Sequence, residues 1–276
     1  MVPLTLALGA SVAWGASDFL GGLASRRVPV VVVLLGAQVV GLALAATVWL
    51  LTGSQIPAAE VIALGTAAGI AELLGFACLY RGLAIGEMTA VAPLAALTAV
   101  LPVAVAVGGG EQVAALEAGG MSLAIAGSAV AAADPGTRRA ARGAGLGIGA
   151  ALCFGVFFVL LGEASESNAP AAVLSGRVGS VAVLAVLVAG FPPGRRPARA
   201  DAVVIAALGA LDVVANLAYA SAAAGGADAT VAVLASLYPL TTVLLARALL
   251  HERLAAPRLA GVVAALGGLA LISVSQ

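Results

Sequence analysis

Charge is the scarcest commodity in this sequence. Only 9% of its 276 residues are charged, against about 25% in an ordinary soluble domain. So few polar groups cannot cover a water-facing surface of that size. Disorder is excluded as well, because disordered chains are poor in apolar residues and rich in charge. Lysine is absent; all 13 cations are arginines, and 13 carboxylates balance them. Without lysine there is no phosphate-binding G-x-x-x-x-G-K-[ST] loop, so the chain has no ATP-driven motor of its own. With no basic excess, a nucleic-acid partner is not expected. The one histidine, His251, and the two cysteines, Cys78 and Cys153, are scattered. They supply neither a metal site nor a Cys–His nucleophile pair, and the cysteines read as small buried hydrophobes. No cofactor is expected. Nor is an enzyme, since no nucleophile clusters with a base. No basic stretch precedes the first apolar run (the first cation is Arg26), so that run reads as a retained helix rather than a cleaved leader.

Apolar residues are abundant: 62% of the chain, with a mean hydropathy of +1.15. Continuous Ala/Val/Leu/Gly runs, rather than short alternating segments, point to helices crossing a bilayer. The runs fall at about 3–24, 29–52, 58–82, 88–108, 113–133, 144–164, 169–190, 201–223, 228–247 and 255–274. The separators are short clusters of charge, Pro and Gly, such as Glu163 to Asn168 and Phe191 to Asp201. The expected fold is therefore an all-α integral membrane protein of ten transmembrane helices.

The chain also overlays on itself at a shift of about 140. Ala13-Trp14-Gly15 meets Cys153-Phe154-Gly155, and Thr89-Ala90-Val91 meets Thr230-Val231-Ala232. Gly120 and Gly127 meet Gly261 and Gly268. This divides the chain into a first five-helix repeat, 1–138, and a second, 139–276. Because five is odd, the second half enters the bilayer from the opposite side. Such inverted repeats are the architecture of many secondary transporters. With ten crossings, 12 of the 13 arginines fall on one side, the exception being Arg177 within a run. Positive residues stay in the cytoplasm, so both termini are expected outside a cell (inner or plasma) membrane.

Trp14-Gly15 in the first run, Pro93 and Pro239 in the fourth and ninth, and Gly110-Glu111 and Glu252-Arg253 after them give the chain its family likeness. It resembles the EamA-type members of the drug/metabolite transporter superfamily over essentially its full length. The resemblance implies export or exchange of small metabolites, amino acids or drugs through a cavity between two halves. Relatives usually have cytoplasmic termini and often an Arg in the second helix. Here the second run has Gln38 and its counterpart in the seventh run is Arg177. The basic loops are shifted in the same sense, so the resemblance does not carry transport direction.

Ionisable groups in mid-membrane cost about 2.5–3.5 kcal/mol each and turn inward to partners or water. Three qualify: Glu72, Arg177 and Asp212. Glu72 and Asp212 coincide at the repeat offset, so they are expected to face one shared cavity. A guanidinium stays charged and either grips a substrate carboxylate or neutralises one of the acids; Glu72 or Asp212 would then exchange protons. An internal ion pair that only fixes packing is the structural alternative. Asp18 lies one turn after Trp14, lining the cavity or snorkelling to the interface. Asn216 and Tyr219 share a face with Asp212, and Tyr80 lies two turns after Glu72. Each tyrosine lines the cavity or anchors at the interface. Pro93, Pro102 and Pro239 interrupt helices, with Pro93 and Pro239 as hinges, and Thr98 and Ser236 offer hydroxyls nearby. Gly65-x-x-x-Gly69 and Gly145-x-x-x-Gly149 would allow close helix approach. The expected function is a secondary transporter moving a small organic metabolite by alternating access, with protons as the coupling partner and a monomer sufficient though a dimer is allowed. The rival reading is a non-transporting multi-pass partner or scaffold protein.

Overall fold

A computed structural model describes residues 2–85, 88–110, 114–132, 138–190, 197–224, 229–251 and 256–274. Its described elements are helical, with no strand among them: α1 (Val2–Ser25), α2 (Val30–Leu51), α3 (Ala59–Ile85), α4 (Met88–Ala95), α5 (Val100–Gly108), α6 (Ala115–Ala132), α7 (Arg138–Gly190), α8 (Arg199–Ala223), α9 (Ala229–Ala235), α10 (Tyr238–Leu250) and α11 (Ala256–Val274). Six stretches among the described residues are long and apolar enough to cross a membrane: Val2–Ser25, Val30–Leu51, Ala59–Ile85, Gly143–Gly190, Arg199–Ala223 and Thr230–Leu250. Leu97–Gly108 and Ala118–Gly127 are shorter apolar helices.

The polarity is inverted relative to a soluble protein. Leu8, Val12, Ile62, Leu74, Val214 and Leu244 are exposed on the outside, while Ser17, Asp18, Gln38, Glu72, Arg177 and Asp212 are buried inside. Hydrocarbon outside makes the first set cheap, and the second set must satisfy one another.

Three local features differ from the sequence expectation. The segment from Glu163 to Asn168 is not a loop: helix continues through it, and α7 bends at one residue, Asn168 (φ −160°, ψ 85°). The side-chain oxygen of Asn168 accepts a hydrogen bond from the backbone N–H of Ala171 at 3.1 Å. Pro170 occupies the first turn of the new rod, where its missing N–H has no helical partner, so Asn168 is an N-cap between two rods. Second, the fourth run breaks between α4 and α5 through a tighter 3-10 turn at Ala96–Ala99, and the ninth breaks at 236–237 between α9 and α10. Third, Pro102 and Pro239 do not interrupt helix interiors. They sit in the first turns of α5 and α10, where a helix tolerates proline. The side chain of Pro93 lies outside the described residues.

The most extensive helix pairings are α3 with α7, α6 with α11 and α1 with α8. Each joins a helix before residue 138 to one after it. Glycine contacts recur at the repeat spacing. A Cβ added to Gly127 would strike the backbone of Gly261 and Ala265, and one added to Gly268 would strike that of Gly120 and Ala124. Likewise, Gly15 lies against Tyr238 and Thr241, and Gly155 against Thr98 and Leu101. Gly69 meets Gly176 and Gly209 meets Ala37. Backbones approach this closely only where side chains are absent. Gly65 belongs to the same set, against Ala172 and Ser175, whereas Gly145 faces open space and Gly149 makes only an ordinary contact with Cys78.

Candidate functional site

The three mid-membrane charges converge. Arg177, on the second rod of α7, is 1% exposed, and Glu72 on α3 is 2% exposed. Nη1 of Arg177 lies 2.8 Å from Oδ2 of Asp212 on α8 and 3.2 Å from Oε2 of Glu72. The same nitrogen donates to Oε1 of Gln38 on α2 at 2.5 Å, and Nη2 donates to Oε1 of Glu72 at 3.4 Å. Burying these ions would be prohibitive singly; together, each supplies the counter-charge and hydrogen bonds that another lacks. At the sequence offset of about 140, Gln38 aligns with Arg177 and Glu72 with Asp212, and these two aligned pairs meet at one point.

A second layer extends from Glu72. Asn216 donates to its Oε1 at 2.7 Å, and the Trp14 indole donates to Oδ1 of Asn216 at 2.7 Å. Asn216 is held between an acceptor it serves and a donor that serves it, which fixes its amide orientation. Beyond Trp14 lies a small cavity of about 10 Å³, room for about one water molecule. Trp14, Asp18 and Glu72 line it together with Phe76, Phe154, Phe157, Phe158 and Tyr238. Asp18 is 2% exposed, and its Oδ1 has no hydrogen-bond partner. It does not snorkel to an interface.

Aromatic residues make up only 4% of the chain, yet eight of the eleven form one connected set around this cavity. Trp14 touches Phe157, Phe158, Tyr219 and Tyr238 at centroid distances of 6.0, 5.3, 5.7 and 6.3 Å. Tyr219 stacks on Phe158 at 4.7 Å and its hydroxyl donates to the Phe158 carbonyl at 3.0 Å. Tyr80 lies on Phe76 at 5.1 Å and against Gly21. Both tyrosines are buried, so neither is an interfacial anchor.

Of the expected site residues, Trp14, Gln38, Glu72, Arg177, Asp212 and Asn216 come together, with Asp18, Tyr80 and Tyr219 beside them. Thr98 and Ser236 do not join the cluster. The Thr98 hydroxyl lies 3.2 Å from that of Tyr238, its repeat counterpart, and Ser236 donates to its own helix at the Val233 carbonyl. Sequence reasoning missed Phe76, Phe157, Phe158 and Tyr238. A signal was available: Phe154, Phe157 and Phe158 stand at i, i+3 and i+4, one helical face.

A buried constellation of charge, amide and aromatic groups inside an apolar helical shell is the polarity of a multi-pass membrane protein. Residues 141–274 match the EamA-like transporter family of the drug/metabolite transporter superfamily, which bears out the resemblance read from the sequence. Members of that family are transporters rather than enzymes. No curated protein matches the sequence. A solved crystal structure, described only as that of a protein, superposes with a TM-score of 0.76 at 17% identity, covering 99% of this chain and 97% of its own. At that identity the likeness shows the fold alone.

Proposed function

We propose that this chain is a secondary transporter that exports or exchanges a small organic metabolite across the cell membrane. It works by alternating access between two oppositely inserted five-helix halves, with ten crossings and both termini outside. The observation that carries the reading is the Arg177–Glu72–Asp212 cluster, in which repeat-equivalent positions of both halves share one guanidinium. A passive scaffold gains nothing from burying three acids and an arginine among crossing helices, each at an insertion cost of about 2.5–3.5 kcal/mol. Arg177 is already held by Glu72, Asp212 and Gln38, which favours its role as the counter-charge of the acids over that of a clamp on an anionic substrate. Glu72 or Asp212 takes up and releases the coupling proton as Arg177 shifts between them. The breaks at 96–99 and 236–237, bordered by Pro93 and Pro239, supply the hinges, and reciprocal contacts at the 140-residue spacing support the exchange of conformations between halves. One chain contains both halves, so a monomer suffices.

The test is uptake of a metabolite panel into proteoliposomes at two pH values. The expected outcome is transport that rises with a proton gradient and loses its pH dependence in Glu72→Gln or Asp212→Asn. A pH dependence that persists unchanged in both variants removes the coupling role. A C-terminal reporter active only in the cytoplasm should stay dark; a bright one reverses the orientation.

A further inference from the structure

The charge around the cavity is one-sided. Its lining contains two carboxylates, Asp18 and Glu72, and no cation among the described residues. Arg177 stands behind Glu72, committed to Glu72, Asp212 and Gln38. Three acids therefore stand near a single guanidinium, and the acid left over is Asp18: Arg177 pairs with Glu72 and Asp212, and Oδ1 of Asp18 is buried with no hydrogen-bond partner. The rest of the wall is aromatic, and the faces of aromatic rings carry negative potential. A carboxylate within an aromatic box is the chemistry that holds an alkylammonium group.

We infer that the cavity receives the positively charged nitrogen of an organic amine or quaternary ammonium compound, with Asp18 as its counter-ion, Glu72 as a second negative pole and the rings of Trp14, Phe157 and Tyr238 as its walls. This assignment rests on the transporter reading above and names the substrate class of that site. These rings, with Phe76, come from α1, α3, α7 and α10, helices of both halves. Parting the halves widens the space from its present size of about one water, and their return closes rings over the cation. Anionic compounds are repelled by the two acids, and neutral ones gain nothing from Asp18. The titratable groups that act on Asp18 are Glu72, Asp212, Tyr80 and Tyr238, with Arg177 engaged by Glu72 and Asp212, so the cation competes with protons for this acidic pocket.

Isothermal titration calorimetry on the full chain in detergent tests the assignment, with benzyltrimethylammonium, benzyl alcohol and phenylacetate as probes of similar size. The expected order puts the cation at least about tenfold tighter than either other probe. Asp18→Asn should weaken the cation by about tenfold or more while leaving benzyl alcohol unchanged. Equal affinity for phenylacetate, or full cation affinity in a folded Asp18→Asn variant, overturns the assignment. Should that variant not fold, the order of the three probes on the native chain decides. Proteoliposome uptake separates the two readings. Binding of benzyltrimethylammonium without uptake keeps the cation site and removes transport; uptake of phenylacetate but not of the cation keeps transport and removes the cation site.

Discussion

Shifted by about 140 residues, the first and second parts of the chain align in position but not in chemistry. Trp14 meets Phe154, Asp18 meets Phe158, Gln38 meets Arg177, Glu72 meets Asp212, Phe76 meets Asn216, and Thr98 meets Tyr238. Where one half is acidic the other is aromatic, and where one half is neutral the other is cationic. Only Glu72 and Asp212 keep the same charge, and they are the two residues that share Arg177. The helices of both halves can pack alike because packing depends on small residues such as Gly127 and Gly268, while the side chains that point into the middle are free to diverge. The site is thus asymmetric although the contacts around it are reciprocal.

The comparison is broken most severely at Arg177. Arg177→Gln leaves Glu72 and Asp212 facing each other without a counter-charge and should cost about 3–5 kcal/mol in thermal unfolding in detergent. Adding Asp212→Asn should recover a large part of that loss; a double variant no better than the sum of its parts would show that the two acids do not act as one unit. Smaller effects sharpen the reciprocity. Gly69→Ala and Gly209→Ala press a methyl into the facing backbone and should each cost about 1–3 kcal/mol. Gly145→Ala has no neighbour to meet and, in a helix interior, should be neutral or stabilising by up to about 1 kcal/mol. Equal costs at Gly69 and Gly145 would remove the close-approach argument. The smallest expected loss lies at Asn168, where Asn168→Ala removes the cap between the two rods of α7 and should cost about 1 kcal/mol, read as a lowered melting temperature.

Much of the architecture could be seen in the sequence because the bilayer makes few demands and makes them strictly. Long apolar runs must be helices, and charges within them are rare enough to notice, which is why Glu72, Arg177 and Asp212 stood out. The repeat offset then brought Gln38 to the partner position of Arg177. What escaped notice was whatever looks the same facing lipid or facing inward. The spacing of Phe154, Phe157 and Phe158 puts them on one helical face but does not say whether that face meets lipid or the interior; the packing of α7 against α3 and the contact of Phe157 and Phe158 with Trp14 turn it inward. The bend at Asn168 was missed for another reason. Glu163, Glu166 and Asn168 read as a polar loop, but Glu163 and Glu166 are exposed on a continuing helix, and a single capping residue accomplishes the turn. The helix breaks at 96–99 and 236–237 were equally hidden, since prolines mark the vicinity of a break without saying which residues yield.

One feature turns the molecule into its own optical gauge. Trp14 hydrogen-bonds Asn216, which in turn holds Glu72, and it touches four rings at the heart of the protein. The other tryptophan, Trp49, sits near the end of α2. Replacing Trp49 with phenylalanine leaves an indole whose fluorescence colour and lifetime track hydration at the centre of the bundle, so any wetting of that centre is followed by light without attaching a dye.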